Sequence, residues 1–128
     1  MSLTVSRDLL DQATEGDVDD AAFVACVRDS LPYAWSVISG LVEQRATSGA
    51  EFADNLVAPP DEAARGQLLR CLASDSMRGA LERHFGIRLA FQNCHRVAVF
   101  HPGATAALAE FTSPRAQILN QKPELVDC

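Results

Sequence analysis

The sequence predicts a mainly α-helical fold: a compact multi-helix single domain over residues 1–122, with one short β-hairpin near residues 87–100 and a tail at 123–128. Three observations carry this. A chain of 128 residues has the length of one domain. Hydrophobic residues at 48% and charged residues at 22% match a packed globular chain, yet only six Phe, one Tyr and one Trp are present. A core built from Leu, Val, Ile and Ala suits close helix packing better than a β-sandwich. Finally, apolar positions recur with helical spacing as far as Gly86 and then switch to alternation.

Leu3, Leu9 and Leu10 in a polar setting predict a short helix within 2–14, ended by Gly16-Asp17. Asp17 or Asp19 can cap the next, where Phe23, Val24, Val27 and Leu31 share a face. Pro32 either kinks that helix or, with Ser30 as cap, opens a new one. Ala34, Val37, Ile38, Leu41 and Val42 then form the cleanest apolar stripe, a helix over 32–45 centred in the core. After the Thr47-Ser48-Gly49 loop, residues 50–56 read as another helical turn or two, stopped by Pro59-Pro60. A helix from Asp61 carries Leu68, Leu69 and Leu72 inward. Ser74-Asp75-Ser76 recaps the chain for a helix through Met77, Ala80, Leu81 and Phe85, with Gly86 at its C′ position.

Ile87, Leu89 and Phe91 alternate with Arg88 and Ala90, and Val97 and Val99 with Arg96 and Ala98. Period two on both sides of Gln92-Asn93-Cys94-His95 is a hairpin signal. A lone hairpin is marginal in water, so it must lie on the helices. Pro102-Gly103 ends it; Ala104, Ala107, Leu108 and Phe111 mark a short helix, and Ser113-Pro114 opens a last one through Ile118 and Leu119.

Net charge is −6, unevenly spread: residues 1–61 hold eleven acids against three arginines, and the remainder six acids against seven arginines and one lysine. The acidic half argues against nucleic acid as a partner, because phosphates need a concentrated basic face. No apolar run is long enough to span a membrane, and the first residues lack a basic-then-apolar leader. The expected location is therefore the cytoplasm, with Cys26, Cys71, Cys94 and Cys128 as thiols. Ten Arg against one Lys suggests a GC-rich bacterial coding sequence.

All three histidines fall between His84 and His101, and Cys94 sits beside His95. This stretch concentrates the groups that bind metals, move protons or attack electrophiles. His84, Arg88, Cys94, His95, Arg96 and His101 are its candidate binding residues. Metal-ligand spacing such as Cys-x2-Cys is absent, so neither a metal nor any other cofactor is expected. His95 and Arg96 would favour a Cys94 thiolate, but a nucleophilic Cys–His pair normally comes from distant positions oriented by a third group. The carboxylates form no defensible acid–base pair, and no catalytic residue is assigned.

Asp75-Ser76-Met77, Leu81-Glu82-Arg83-His84-Phe85-Gly86-Ile87-Arg88-Leu89, Val99-Phe100-His101-Pro102 and Ala106-Ala107-Leu108 together resemble the later half of an acyl or peptidyl carrier protein. The resemblance implies Ser76 as the bearer of a phosphopantetheine arm. Against the family pattern, Ser76 lies only ten residues before Gly86, and the long loop preceding the serine is missing. Residues 61–86 also have helix-turn-helix outline, but Arg78 and Arg83 alone give too little for a recognition helix.

The reading that follows is a small cytosolic accessory or ligand-binding protein. It would act through a protein partner or a small molecule in an apolar pocket beside residues 84–101, where Arg88 and Arg96 could meet an anionic group. A thiol-dependent enzyme or redox protein using Cys94 with His95 or His101 is the first alternative, and the Ser76 carrier the second. Oligomeric state is left open.

Overall fold

The computed structural model describes residues 2–93 and 96–120. The expectations placed on Cys94, His95, Cys128 and the 123–128 tail lie outside them. Seven helices and three strands are described: α1 (Arg7–Thr14), α2 (Asp20–Ser30), α3 (Pro32–Ser48), β1 (Phe52–Asp54), α4 (Glu62–Leu72), α5 (Asp75–Phe85), β2 (Arg88–Phe91), β3 (Val97–Phe100), α6 (Thr105–Phe111) and α7 (Pro114–Leu119). The fold is mainly α, as the sequence predicts, with a small antiparallel sheet.

Most helix starts follow their local chemistry. Asp19, Asp61, Ser74 and Ser113 each accept a hydrogen bond from the N–H three residues on, at N3 of the new helix, satisfying one orphan donor. Gly86 ends α5 in the left-handed region at φ 64°, where a Cβ would be strained. Two starts differ from expectation. The first helix begins at Arg7 rather than near residue 2, because Ser6 caps it. The preceding segment instead runs along α2, with Thr4 N–H donating to Ser30 Oγ and Cys26 Sγ donating to Thr4 O. Ser30 is thereby engaged elsewhere, and α3 starts at Pro32 without a side-chain cap from its own flank. Its first free N–H groups, on Tyr33 and Ala34, donate to Gln67 Oε1 of α4 at 2.6 and 3.3 Å. The cap is tertiary, and no local pattern announces it.

The expected hairpin, β2 with β3, is present in register Leu89↔Val99. It is extended by a third strand where a helical turn was expected. β1 pairs antiparallel with β3, Phe52 opposite Phe100, giving the order β1-β3-β2. Three residues are too few to show a period, and their partner is over forty positions away.

Alternation along the strands gives each face its own core. Ala53, Leu89, Val97 and Val99 join the main core with Val24, Val27, Leu31, Ala34, Ile38, Leu41, Leu68, Leu72, Met77 and Leu81 from α2–α5. The opposite face carries Ala90, Ala98 and Phe100, packed on Phe111 with Ala107 and Leu108 of α6. The sheet is thus a middle layer between a helical bundle and the short pair α6–α7. Ala98, expected to point outward with Arg96, is fully buried beneath this second layer. Within α3, Ala34, Ile38 and Leu41 are buried while Val37 and Val42 are half-buried. Leu69, expected inward, is 42% exposed: it lies one residue past Leu68 and about 100° round the helix from it.

Candidate functional site

The four candidate residues that the structure describes, His84, Arg88, Arg96 and His101, do not form one constellation. His84 lies in the last turn of α5, its ring 5.6 Å from that of Trp35 and 4.7 Å from that of Phe85. That aromatic group belongs to the helical bundle. His101 follows β3 and Arg96 precedes it, so five residue steps, about 16 Å, separate their backbones. The His101 ring closes a local turn: Gly103 N–H donates to Nδ1 at 2.9 Å, which leaves the proton of the neutral ring on Nε2. It borders a shallow hollow of about 270 Å³ with Arg45, Glu51 and Ala104. Arg88, at the start of β2, donates to Glu82 Oε2 at 3.3 Å, and the same oxygen accepts Leu89 N–H at 2.8 Å. That pair lines a polar depression of about 500 Å³ between the sheet and α6.

Arg96 is the most engaged of the four described candidates. Its Nε and Nη2 donate to Asp54 Oδ2 at 3.1 and 2.9 Å, and its Nη1 donates to Asn120 Oδ1 at 2.9 Å. Side-chain exposures of 31% for Arg96 and 19% for Asp54 make this a half-buried ion pair. One guanidinium therefore ties the hairpin end, the edge strand β1 and the C-cap of α7. The cause lies in the sheet pattern: Arg96 and Asp54 both fall on the face that α6–α7 cover.

Arg96 also lines a cleft of about 310 Å³ between that face and α6–α7. Phe52, Ala107, Phe111 and Leu119 supply apolar walls, while Gln92 and Asn120 flank Arg96. Gln92 Nε2 donates to the Phe111 carbonyl at 2.8 Å. Arg115, at the rim, pairs with Glu110 at 2.7 Å. Sequence reasoning missed Gln92, Asn120, Asp54 and Phe52. The signal for Gln92 was present, a glutamine at a strand end with its apolar neighbour Phe91, but nothing local links it to Asn120.

The described thiols are not set up for chemistry. Cys71 is buried in the main core, and burial pushes its thiol up to about 11. Cys26 is half-buried and bonded to the Thr4 carbonyl. Ser76 is exposed in the first turn of α5, with its hydroxyl 3.0 Å from Ser74 Oγ. Among the described residues, no group of three or more His, Cys, Asp or Glu could hold a metal ion. Among the same residues, no helix is long and apolar enough to cross a membrane.

Fold and site together define a small, mainly helical domain with a three-stranded middle layer and a cleft under its last two helices. The chain belongs to the NucS shadow ORF family, whose model matches residues 1–128. No curated protein and no solved structure matches the chain.

Proposed function

We propose that this chain is a small cytosolic binding protein whose site is the cleft between the sheet and α6–α7. The observation that carries the reading is the cleft's composition. Aromatic and aliphatic walls meet a few polar side chains, among them Gln92, Arg96 and Asn120. Pockets for small molecules have this pattern, apolar burial for affinity and a few fixed polar groups for orientation. The polar groups are held from behind, Arg96 by Asp54 and Gln92 by the Phe111 carbonyl, so the site is preorganised. Arg88 and His101 border other depressions and His84 packs on Trp35, so the proposed site keeps Arg96 alone of these candidates.

The test is a fragment titration of the full chain followed by backbone amide shifts. Binding in the cleft moves the resonances of Gln92, Arg96, Phe111 and Asn120. Ala107→Trp, which fills the cleft from the α6 side, abolishes those shifts. Shifts confined to the His101 hollow, or shifts unchanged in Ala107→Trp, would place the site elsewhere.

A further inference from the structure

The hydrogen-bond register of the sheet leaves the outer edge of β2 open among the described residues. Along β3, Val97 O accepts Asn55 N–H and the following His101 N–H donates to Glu51 O, each at 2.8 Å, so the odd-numbered positions face β1. Gln92 N–H donates to Arg96 O at 2.9 Å, so the even-numbered positions face β2. The ladder partners on β2 are therefore Arg88, opposite Phe100, and Ala90, opposite Ala98. Leu89 and Phe91 turn their N–H and C=O groups away from the sheet. Leu89 N–H follows that direction, donating to Glu82 Oε2 at 2.8 Å beyond the edge. The Leu89 carbonyl and both backbone groups of Phe91 have no partner among the described residues.

This edge forms the wall of a groove. Leu89, Ala90 and Phe91 line the depression of about 500 Å³ described above. The helical bundle packs on the face that carries Leu89, and α6 on the face that carries Ala90, so the edge is flanked from both sides. Arg78 of α5 stands on the first flank, and Leu108 of α6 on the second. Bare strand edges template the addition of another strand, and proteins blunt them with charges or covering elements. Here Glu82 blunts one of the outward groups and leaves the others.

Charge and alternation define what fits. The groove is lined by two guanidinium groups, Arg78 and Arg88, against the single carboxylate of Glu82. Arg78 also pairs with Asp75, but that carboxylate is 93% exposed and solvent screens it. A locally positive groove on a chain of net charge −6 favours an acidic partner. In an added strand successive side chains point to opposite faces, one set toward Arg78 and the other toward Leu108.

We propose that the β2 edge takes an extended acidic peptide of a partner protein as a fourth strand. Its main chain bonds to the Leu89 carbonyl and to Phe91, its acidic side chains meet Arg78 and Arg88, and its alternate apolar side chains lie against Leu108. The site is separate from the cleft under α6–α7 and does not depend on it.

A blocked hexapeptide alternating valine and glutamate, titrated into the full chain, tests this. Amide shifts appear at Leu89, Phe91, Leu108 and Thr112, and hydrogen exchange of the Phe91 amide slows about tenfold at saturation, the mark of a new main-chain bond. The valine–lysine counterpart binds about tenfold more weakly. A version with proline at its two central positions, which lacks an N–H on each edge, does not bind. Arg78→Gln and Arg88→Gln each weaken the glutamate peptide about threefold and leave a valine–threonine peptide of the same length unchanged, with circular dichroism verifying that both variants are folded. An unchanged Phe91 amide, or binding of the proline peptide, would overturn the added strand. Equal binding of the lysine peptide, or indifference to both arginine variants, would overturn the acidic partner. Shifts centred on Phe52, Ala116 and Asn120 would put the peptide in the cleft instead. If none of the peptides binds, the proposal is wrong and the cleft reading is untouched.

Discussion

Replacing Arg96 by alanine tests how much of the molecule hangs on one side chain. The guanidinium makes three hydrogen bonds, two to Asp54 and one to Asn120. Exposed ion pairs contribute about 0–1 kcal/mol, whereas breaking a fully buried pair costs about 3–5 kcal/mol because the surviving charge is stranded. At 31% and 19% exposure the pair lies between these limits. Screening by solvent discounts the buried figure, and about 2 kcal/mol is expected for Arg96→Ala. For a domain of this size that corresponds to a fall of about 8 °C in Tm. The measurement is urea unfolding by circular dichroism, with the midpoint falling at constant m.

Asp54→Ala removes the same pair from the other side and strands the arginine, which water reaches more easily, so a smaller loss of about 1 kcal/mol follows. The double variant costs less than the sum of the two singles by about 1 kcal/mol, since the pair can be lost only once. A loss below about 0.5 kcal/mol for Arg96→Ala, with additive singles, would mean the arginine is simply solvated. The account of β1, β3 and α7 as one tied unit would then be refuted.

Glu82→Ala should destabilise more than Arg88→Ala, about 1–2 against under 1 kcal/mol, because the carboxylate also holds Leu89 N–H at the sheet edge; equal losses in denaturant would contradict this. Ile38→Ala, at a fully buried position, should cost about 2–5 kcal/mol, and Val42→Ala, half-buried, under about 1.5 kcal/mol, read from the same unfolding curves. Cys71 should resist alkylation in the folded protein at neutral pH and label on unfolding, by peptide mass mapping. Its thiol is raised from 9.0 to about 11 by burial, so the folded state holds a proton that the unfolded state releases. Stability contributed by this group is therefore constant below pH 9 and declines between pH 9 and about 11, and Cys71→Ala should flatten that part of the profile.

The helices were legible because their signals are local. A capping side chain, an apolar stripe and a closing glycine lie within one segment, as at Ser74, Met77 to Phe85 and Gly86. The hairpin was legible because alternation on both sides of a turn is also local. What escaped depends on partners distant in sequence. β1 is a strand only because β3 accepts it, and the start of α3 is capped by Gln67, over thirty residues away. The described candidate residues are dispersed for a related reason. Histidine and cysteine drew attention by chemical type, yet His84 is an aromatic packing group and His101 a turn closer. Gln92 and Asn120 are unremarkable residue types, and they matter only where the fold sets them on either side of Arg96.

The cleft itself follows from the proportions of the second layer. Three strands about 4.8 Å apart make a sheet about 14 Å across, and four residues make it about 13 Å long. α6 has seven residues, about 10 Å of helix about 10 Å wide, and cannot cover that face alone. Its one buried side chain, Phe111, rests edge-on against Phe100 and acts as a pillar at the sheet centre. α7 completes the layer but buries none of its own residues; Ile118 and Leu119 stay exposed, and Arg96 holds its C-cap through Asn120. Two short helices propped on one aromatic contact and pinned by one guanidinium leave the Phe52 edge uncovered. A longer α6 with a second aromatic would pack this face shut and strengthen the domain. The chain instead has alanine at 107 and 116, where a larger side chain would fill the space. The opening is thus encoded by small residues in the cleft wall, and the same choice that weakens the layer leaves the cleft open.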